Sequence, residues 1–437
     1  MRVVIDIDDV APGGEGAGRD GGRHVFVPFT APGDRVEAEV PPGEGAAHGS
    51  LLRVIVPGPS RVAPPCRHFG PGEPGEPDRA CGGCEWLHLA YAEQLAAKSR
   101  AFAEALRRIG RLEPGSVPIR PILASPEPLR YRSRAKFHVD RESGRLVFFR
   151  RRSHEPVRLR ECWLLAPELD ALREAVGPAL GAARLSPREV TLAWSAHSGR
   201  GAAWLQLAEV TAGVRERAGA LLAALPALQG AVLTAEGSAP ALVGDPVLLD
   251  ERAPGDPSRG LARSRPDVFG QANRRANTLL VETALAMLSP DGEDVLELFC
   301  GSGNFTGPLA ERARSVAAVE VQGPALDLAR QDLAGANIRF FAGDALAMAL
   351  AFARETGPSA RRFGAALLDP PREGAKGIGA ALRALAVRRA VYVSCDPATF
   401  ARDLRGCGEA GYRLAAVQPV DLFPQTHHVE GVALLVR

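Results

Sequence analysis

The sequence contains no apolar run approaching the length needed to cross a bilayer, which excludes a helical membrane span. It also lacks a basic region ahead of an apolar stretch at its start. The first residues, MRVVIDIDDV, are acidic and do not read as a secretion signal, so a cytoplasmic protein with no membrane partner is expected. Cysteine is sparse and odd in number, seven in 437 residues, which argues against a disulfide framework and for metal-ligating or catalytic thiols. Strong net charge is missing too, the formal total being +2, and nothing calls for an obligate protein partner. What is present, 46% hydrophobic and 24% charged residues, is the composition of a globular protein, and the length is too great for one hydrophobic core. Two or three domains are expected.

The charge is unevenly distributed. Eleven basic residues between Arg130 and Arg160 face three acidic ones, a balance that suits a polyanion but equally describes a solvated surface. Residues 1–58 alternate short β-rich runs with Gly/Pro/Asp turns, which predicts a small β-barrel. Its stretch VAPGGEGAGRDGGRHVFVPFTAPGDRVEAEV resembles the OB-like, RNA-binding TRAM domain. Residues 59–260 begin with a Cys/Pro/Gly-rich segment and a helix over about 91–109, then continue as a central α+β domain. From 261 to 437 strand candidates (295–299, 316–319, 365–368, 391–394 and 432–436) alternate with helices, as in a doubly wound, Rossmann-like sheet.

In that last segment DVLELFCGSGNFTGPLA reads as strand, glycine turn and helix start, which lets backbone approach a ligand. Glu320 ends the next strand, where a carboxylate can hold ribose hydroxyls, and Asp344 and Asp369 occupy further strand ends. The turn carries Asn304 and Phe305 in place of a long phosphate-binding glycine fingerprint, so S-adenosylmethionine fits better than a dinucleotide. Cys395 follows the strand AVYVS, with Asp396 and Pro397 suited to start a helix. Strand ends of a parallel sheet gather along one edge, which would bring Phe299, Glu320, Asp369 and Cys395 together.

The motifs FGQANRRAN, ELFCGSGNFT, LLDPPREG, VYVSCDPATFARDL and DLFPQTHHVE, with FFRRRSHEPVRLRECWLL and the TRAM-like start, resemble the bacterial RNA uracil-5-methyltransferases over the full chain. The closest likeness is to the 23S ribosomal RNA enzymes that carry a TRAM domain and an iron–sulfur cluster. That resemblance implies Cys395 as nucleophile, Glu430 as general base, and Gln271, Phe299, Asn304, Glu320, Asp344 and Asp369 around S-adenosylmethionine. The chemistry needs such a pair: C5 of uracil is weakly nucleophilic until a thiolate adds to C6, and a base must then remove the C5 proton. In an all-parallel sheet Glu430, which precedes the last strand, would start at the edge opposite Cys395. The last strand is therefore expected to run antiparallel.

Cys81-Gly-Gly-Cys84 has metal-ligand spacing, and Cys66 and Cys162 complete four thiols; spacing alone favours zinc, whereas the resemblance implies a [4Fe-4S] cluster. Fourteen residues separate Cys66 from Cys81, more than in the family motif. Two other functions fit the same residues less well: a transfer RNA 5-methyluridine methyltransferase, and a catalytically silent RNA-binding factor.

Overall fold

The computed structural model describes residues 1–437 except 73–77, 114, 334 and 336, so part of the Cys66–Cys81 connection lies outside the described residues. The first sheet has six strands between Arg2 and Val56. Its long first strand, Arg2–Val10, pairs with Arg35–Glu39 through its first half and with Gly16–Asp20 through its second, with a bulge between Ile7 and Asp9. The bulge bends the strand, curling the sheet into a barrel-like shape around Ile5, Ile7, Val25, Val27, Val36 and Ala38. The strand GAGRD escapes a hydrophobic pattern search for a steric reason. A Cβ on Gly16 would lie 2.0 Å from Thr30 Oγ1, and one on Gly18 2.2 Å from the Asp6 carbonyl oxygen.

The central sheet has seven strands between Arg134 and Gly244, backed by helices Pro167–Ala182 and Ala212–Ala224. The basic stretch is in good part consumed inside this region. Arg134 donates to the carbonyls of Pro266 and Val268, Arg130 donates to the Cys162 carbonyl at 2.8 Å and lies over the Trp163 ring, and Arg132 is held next to Tyr131. These three arginines do not form the phosphate-facing fringe that the charge count suggests.

The C-terminal sheet contains five parallel strands, Asp294–Leu298, Ser315–Glu320, Ile338–Ala342, Ala365–Leu368 and Arg389–Ser394, and two that reverse direction relative to one another, Arg413–Val420 and Glu430–Val436. Glu430–Val436 runs antiparallel to Arg389–Ser394 and sits between it and Arg413–Val420. Arg413–Val420 was missed from sequence, and Ile338–Ala342 was read only as a strand end at Asp344. Helix Tyr91–Arg108 leaves the Cys-rich segment and packs Phe102 and Leu106 into the core of this sheet, far along the chain. None of the helices is long and apolar enough to cross a membrane, among the described residues.

Candidate active site

The antiparallel register pairs Ser394 with Gly431, so Cys395 and Glu430, the next residue on each strand, stand side by side at the carboxyl edge of the parallel strands. Backbone closeness is what the small residue at 431 allows: a Cβ there would meet the Phe102 ring at 2.7 Å and the Phe400 ring at 2.9 Å. Past Cys395 the chain turns at once into helix Pro397–Glu409. Asp396 caps it, its carboxylate accepting from the amides of Ala398 and Thr399 at 3.0 and 2.8 Å, and Pro397 fills the first turn.

Burial and, after it, the neighbouring Glu430 push the Cys395 thiol up to about 11, while Arg372 hydrogen-bonds to the sulfur and opposes the rise. Glu430 is buried and is held well above the carboxylate range by desolvation and by Asp369, again with Arg372 opposing. Desolvation alone lifts Asp369 to about 7. Arg372 is the one guanidinium that pulls both the thiol and Glu430 back toward their charged forms. The loop that carries Arg372 is fixed to the helix after Cys395: Thr399 Oγ1 donates to the Arg372 carbonyl at 3.0 Å, and Tyr392 and Asp403 hold the amide of Ala375.

Next to this pair lies the glycine turn. Phe299 leaves its strand at φ +63°, a left-handed backbone that a bulky side chain seldom adopts. That turn lets the Gly301 amide donate to Glu320 at 2.9 Å; the other Glu320 oxygen accepts from Gln322 N at 2.7 Å. Asn304 exchanges side-chain hydrogen bonds with Asn277 at 2.8 and 3.0 Å, and Gln271 lies half-buried in the loop before helix Arg274–Leu288. Asp344 is exposed at the end of its strand and caps helix Ala345–Ala353 through the amide of Ala347.

One site residue was missed from sequence. Glu297 is fully buried in the strand before the glycine turn, neither carboxyl oxygen has a hydrogen-bond partner, and the adjacent Thr306 hydroxyl is unpartnered as well. Desolvation, reinforced by Asp369 and Glu320, raises it to about 8. An acidic residue in an otherwise apolar parallel strand was the available signal, since such strands are buried on both faces. Glu297, Glu320, Asp369 and Glu430 crowd one edge with Arg372 as the cation that acts on Glu430, and such a site suits a ligand that is itself cationic.

A second centre lies in the central region. Cys66, Cys81, Cys84 and Cys162 line one cavity of about 100 Å³ whose walls include Phe69, Leu87 and Phe148, with Arg132 alongside. Short backbone bonds place the thiols: Cys81 N donates to the His68 carbonyl at 3.0 Å, and Cys162 N to Asp170 at 2.9 Å. Burial, then the other thiols, raises Cys81 to about 12 and also holds Cys84 well above the ordinary thiol range. Four desolvated thiols around one space fit a cationic metal group, which would stabilise them as thiolates. Among the described residues no group of three or more His, Cys, Asp or Glu forms a site for a single metal ion.

Comparison with known proteins decides between the readings of this site. Residues 257–437 match the tRNA (Uracil-5-)-methyltransferase family. Over 449 aligned residues the chain is 36% identical to the 23S rRNA (uracil(1939)-C(5))-methyltransferase RlmD of Pseudomonas putida, covering 98% of this chain and 92% of that protein. It is 33% identical to the RlmD of Aeromonas hydrophila, covering 100% and 97%. The chain belongs to the RNA uracil-C5 methyltransferase family. The fold of this uracil-C5 methyltransferase is shared with the tRNA (uracil-54, C5)-methyltransferase of Pyrococcus abyssi, solved with S-adenosyl-L-homocysteine, at TM-score 0.73 and 22% identity over 100% of both chains. As an enzyme of this family the protein uses S-adenosylmethionine and acts on RNA. Of the residues expected from sequence, Cys395, Glu430 and Asp369 come together, with Glu320 beside the glycine turn and Asp344 outermost.

Proposed function

We propose that this methyltransferase modifies C5 of a uridine in 23S ribosomal RNA, with Cys395 as nucleophile and Glu430 as general base. The Ser394–Gly431 register carries this reading, because it sets the thiol beside the carboxyl on adjoining strands. Cys395 adds to C6 of the uracil, forming a C–S bond and leaving C5 enolate-like. The thiol first gives up its proton to solvent. Arg372 stabilises the thiolate, since its hydrogen bond favours the charged form. S-adenosylmethionine supplies an electrophilic methyl group when bound, and Glu297, Glu320, Asp369, Asn304, Gln271 and Phe299 would hold it, the acids facing its positive charges. Glu430, ionised, removes the C5 proton from the methylated adduct, and the C–S bond breaks as the ring regains its double bond. The desolvation that raises Glu430 makes it a strong base once ionised.

Fluorine at C5 cannot leave as a proton. RNA carrying 5-fluorouridine at the target is therefore expected to trap a covalent, methylated enzyme–RNA adduct, and Cys395→Ser to lose both adduct and methylation by at least about a thousandfold. Normal turnover on ordinary RNA without any adduct on the fluorinated RNA would sink the mechanism. Mapping 5-methyluridine in 23S and transfer RNA from cells with and without the protein separates the ribosomal from the transfer RNA target.

The four-cysteine centre is read as the site of a [4Fe-4S] cluster rather than zinc. The likeness of PCRHFG, CGGC and ECWLL to the family's ligand motifs supports this reading, and the four thiols line one cavity that a cluster could occupy. Protein purified without air should be brown and hold about four irons per chain. Stoichiometric zinc without iron would overturn the assignment.

A further inference from the structure

The loop from Asp421 to Val429 delivers Glu430 to the active site, and besides anchors from Pro128, Tyr131 and Asn273 it is held by the segment that follows Cys84. Glu85 N and Trp86 N both donate to the Gln425 carbonyl, at 2.9 and 3.1 Å. Gln94 and Gln425 are joined twice, Gln94 Nε2 to Gln425 Oε1 and Gln425 N to Gln94 Oε1, each at 2.9 Å. Glu85 accepts from the His427 amide at 2.9 Å and hydrogen-bonds its Nδ1 at 2.7 Å. Deeper in, Lys98 Nζ donates to Asp421 at 2.6 Å and to the Phe423 carbonyl at 3.0 Å, with both members of the ion pair fully buried. Two helical turns or less away on the same helix, Phe102 abuts Gly431.

Such an arrangement is costly as a stability device. A buried ion pair contributes little net stability after its desolvation, and apolar residues of similar volume often do as well. What it fixes is geometry. Gln425 sits at φ +69°, a backbone that a non-glycine residue keeps only when its surroundings over-determine it, and here both its main chain and its side chain are engaged.

We propose that Glu85, Gln94 and Lys98 are positioning residues for the general base, holding the 421–429 loop so that Glu430 reaches C5 of the adduct. This rests on the reading of Glu430 as the base. None of the three touches the reacting atoms, and Cys395 is held by other contacts, from Arg372 and the helix that follows it. A loosened clasp therefore impairs the second half of the reaction and spares the first, leaving enzyme joined to methylated RNA.

The test uses the full-length enzyme with unmodified substrate RNA and denaturing gels that reveal covalent adduct, for Glu85→Ala, Gln94→Leu and the milder Glu85→Gln, beside Glu430→Gln. Expected are a fall in kcat of up to about a hundredfold, KM for RNA within about twofold, and adduct accumulating as in Glu430→Gln. Lys98→Met with Asp421→Leu, which removes both buried charges together, guards against misfolding and should give the same adduct. Adduct in Glu430→Gln but none in folded clasp variants overturns the clasp alone. An absence of adduct in Glu430→Gln overturns the base assignment and the clasp with it.

Discussion

Glu297 is the residue whose chemistry is most exposed by the structure and least by the sequence. With Asp369 it keeps its proton in the fold at pH values where an unfolded chain would release it, because both are raised above the ordinary carboxylate range, to about 8 and about 7. The unfolded state therefore gains stability as pH rises through the ordinary carboxylate range, and the fold loses ground until its own acids ionise. Ligand-free protein should melt roughly 5 °C lower at about pH 8 than at about pH 5, and Glu297→Gln should reduce that slope, leaving the share that comes from Asp369 and Glu430. A cation favours the ionised acids, so S-adenosylmethionine should bind more tightly as pH rises across the same window and release protons, measurable by calorimetry in buffers of different ionisation enthalpy. Loss of one charge-assisted contact in Glu297→Gln should weaken that binding by about tenfold or more; unchanged affinity would remove Glu297 from the cofactor site. Gly431 makes a steric prediction of the same grain. Gly431→Ala forces a methyl into Phe102 and Phe400, and overpacking of this kind should cost about 1–3 kcal/mol in denaturant unfolding.

At the level of elements, the helix after Cys395 owes its start to Asp396 and Pro397, a pairing legible from sequence alone. Asp396→Ala should lower stability by about 1 kcal/mol and, by fraying the turn next to Cys395, reduce the rate of adduct formation on fluorinated RNA. The strands 365–368 and 391–394 were readable because they are unbroken apolar runs buried on both faces. Ile338–Ala342 was read only through its end at Asp344, because it is an edge strand, partly exposed along its length and with an arginine inside it; Arg413–Val420 was not read, since it carries Pro419, which an edge position tolerates and a central one does not. The direction of Glu430–Val436 was deduced not from its residues but from the chemical need to bring a base to Cys395, and the register bears that geometry out. The proposed catalytic pair is thus legible through motif and reaction logic. The clasp is not, because Gln94 and Lys98 read as the polar face of an ordinary helix until the fold buries them.

Across the whole molecule, the Cys-rich segment, helix Tyr91–Arg108 and the C-terminal sheet are tied by contacts spanning more than three hundred positions of chain, such as Lys98–Asp421. The position of Glu430–Val436 gives this a kinetic meaning. That strand follows Arg413–Val420 in the chain, yet it lies between it and Arg389–Ser394. Until it inserts, two strands present open edges with no partner, and the growing sheet cannot close ranks on that side. Such long-range pairing slows folding and leaves strand edges free to join other chains. Refolding should accordingly show a slow late phase in which active-site formation and resistance to aggregation appear together, and dilution or a chaperone should raise the yield of active protein. The reversed strand that creates the active site also makes it the last part of the sheet to be finished.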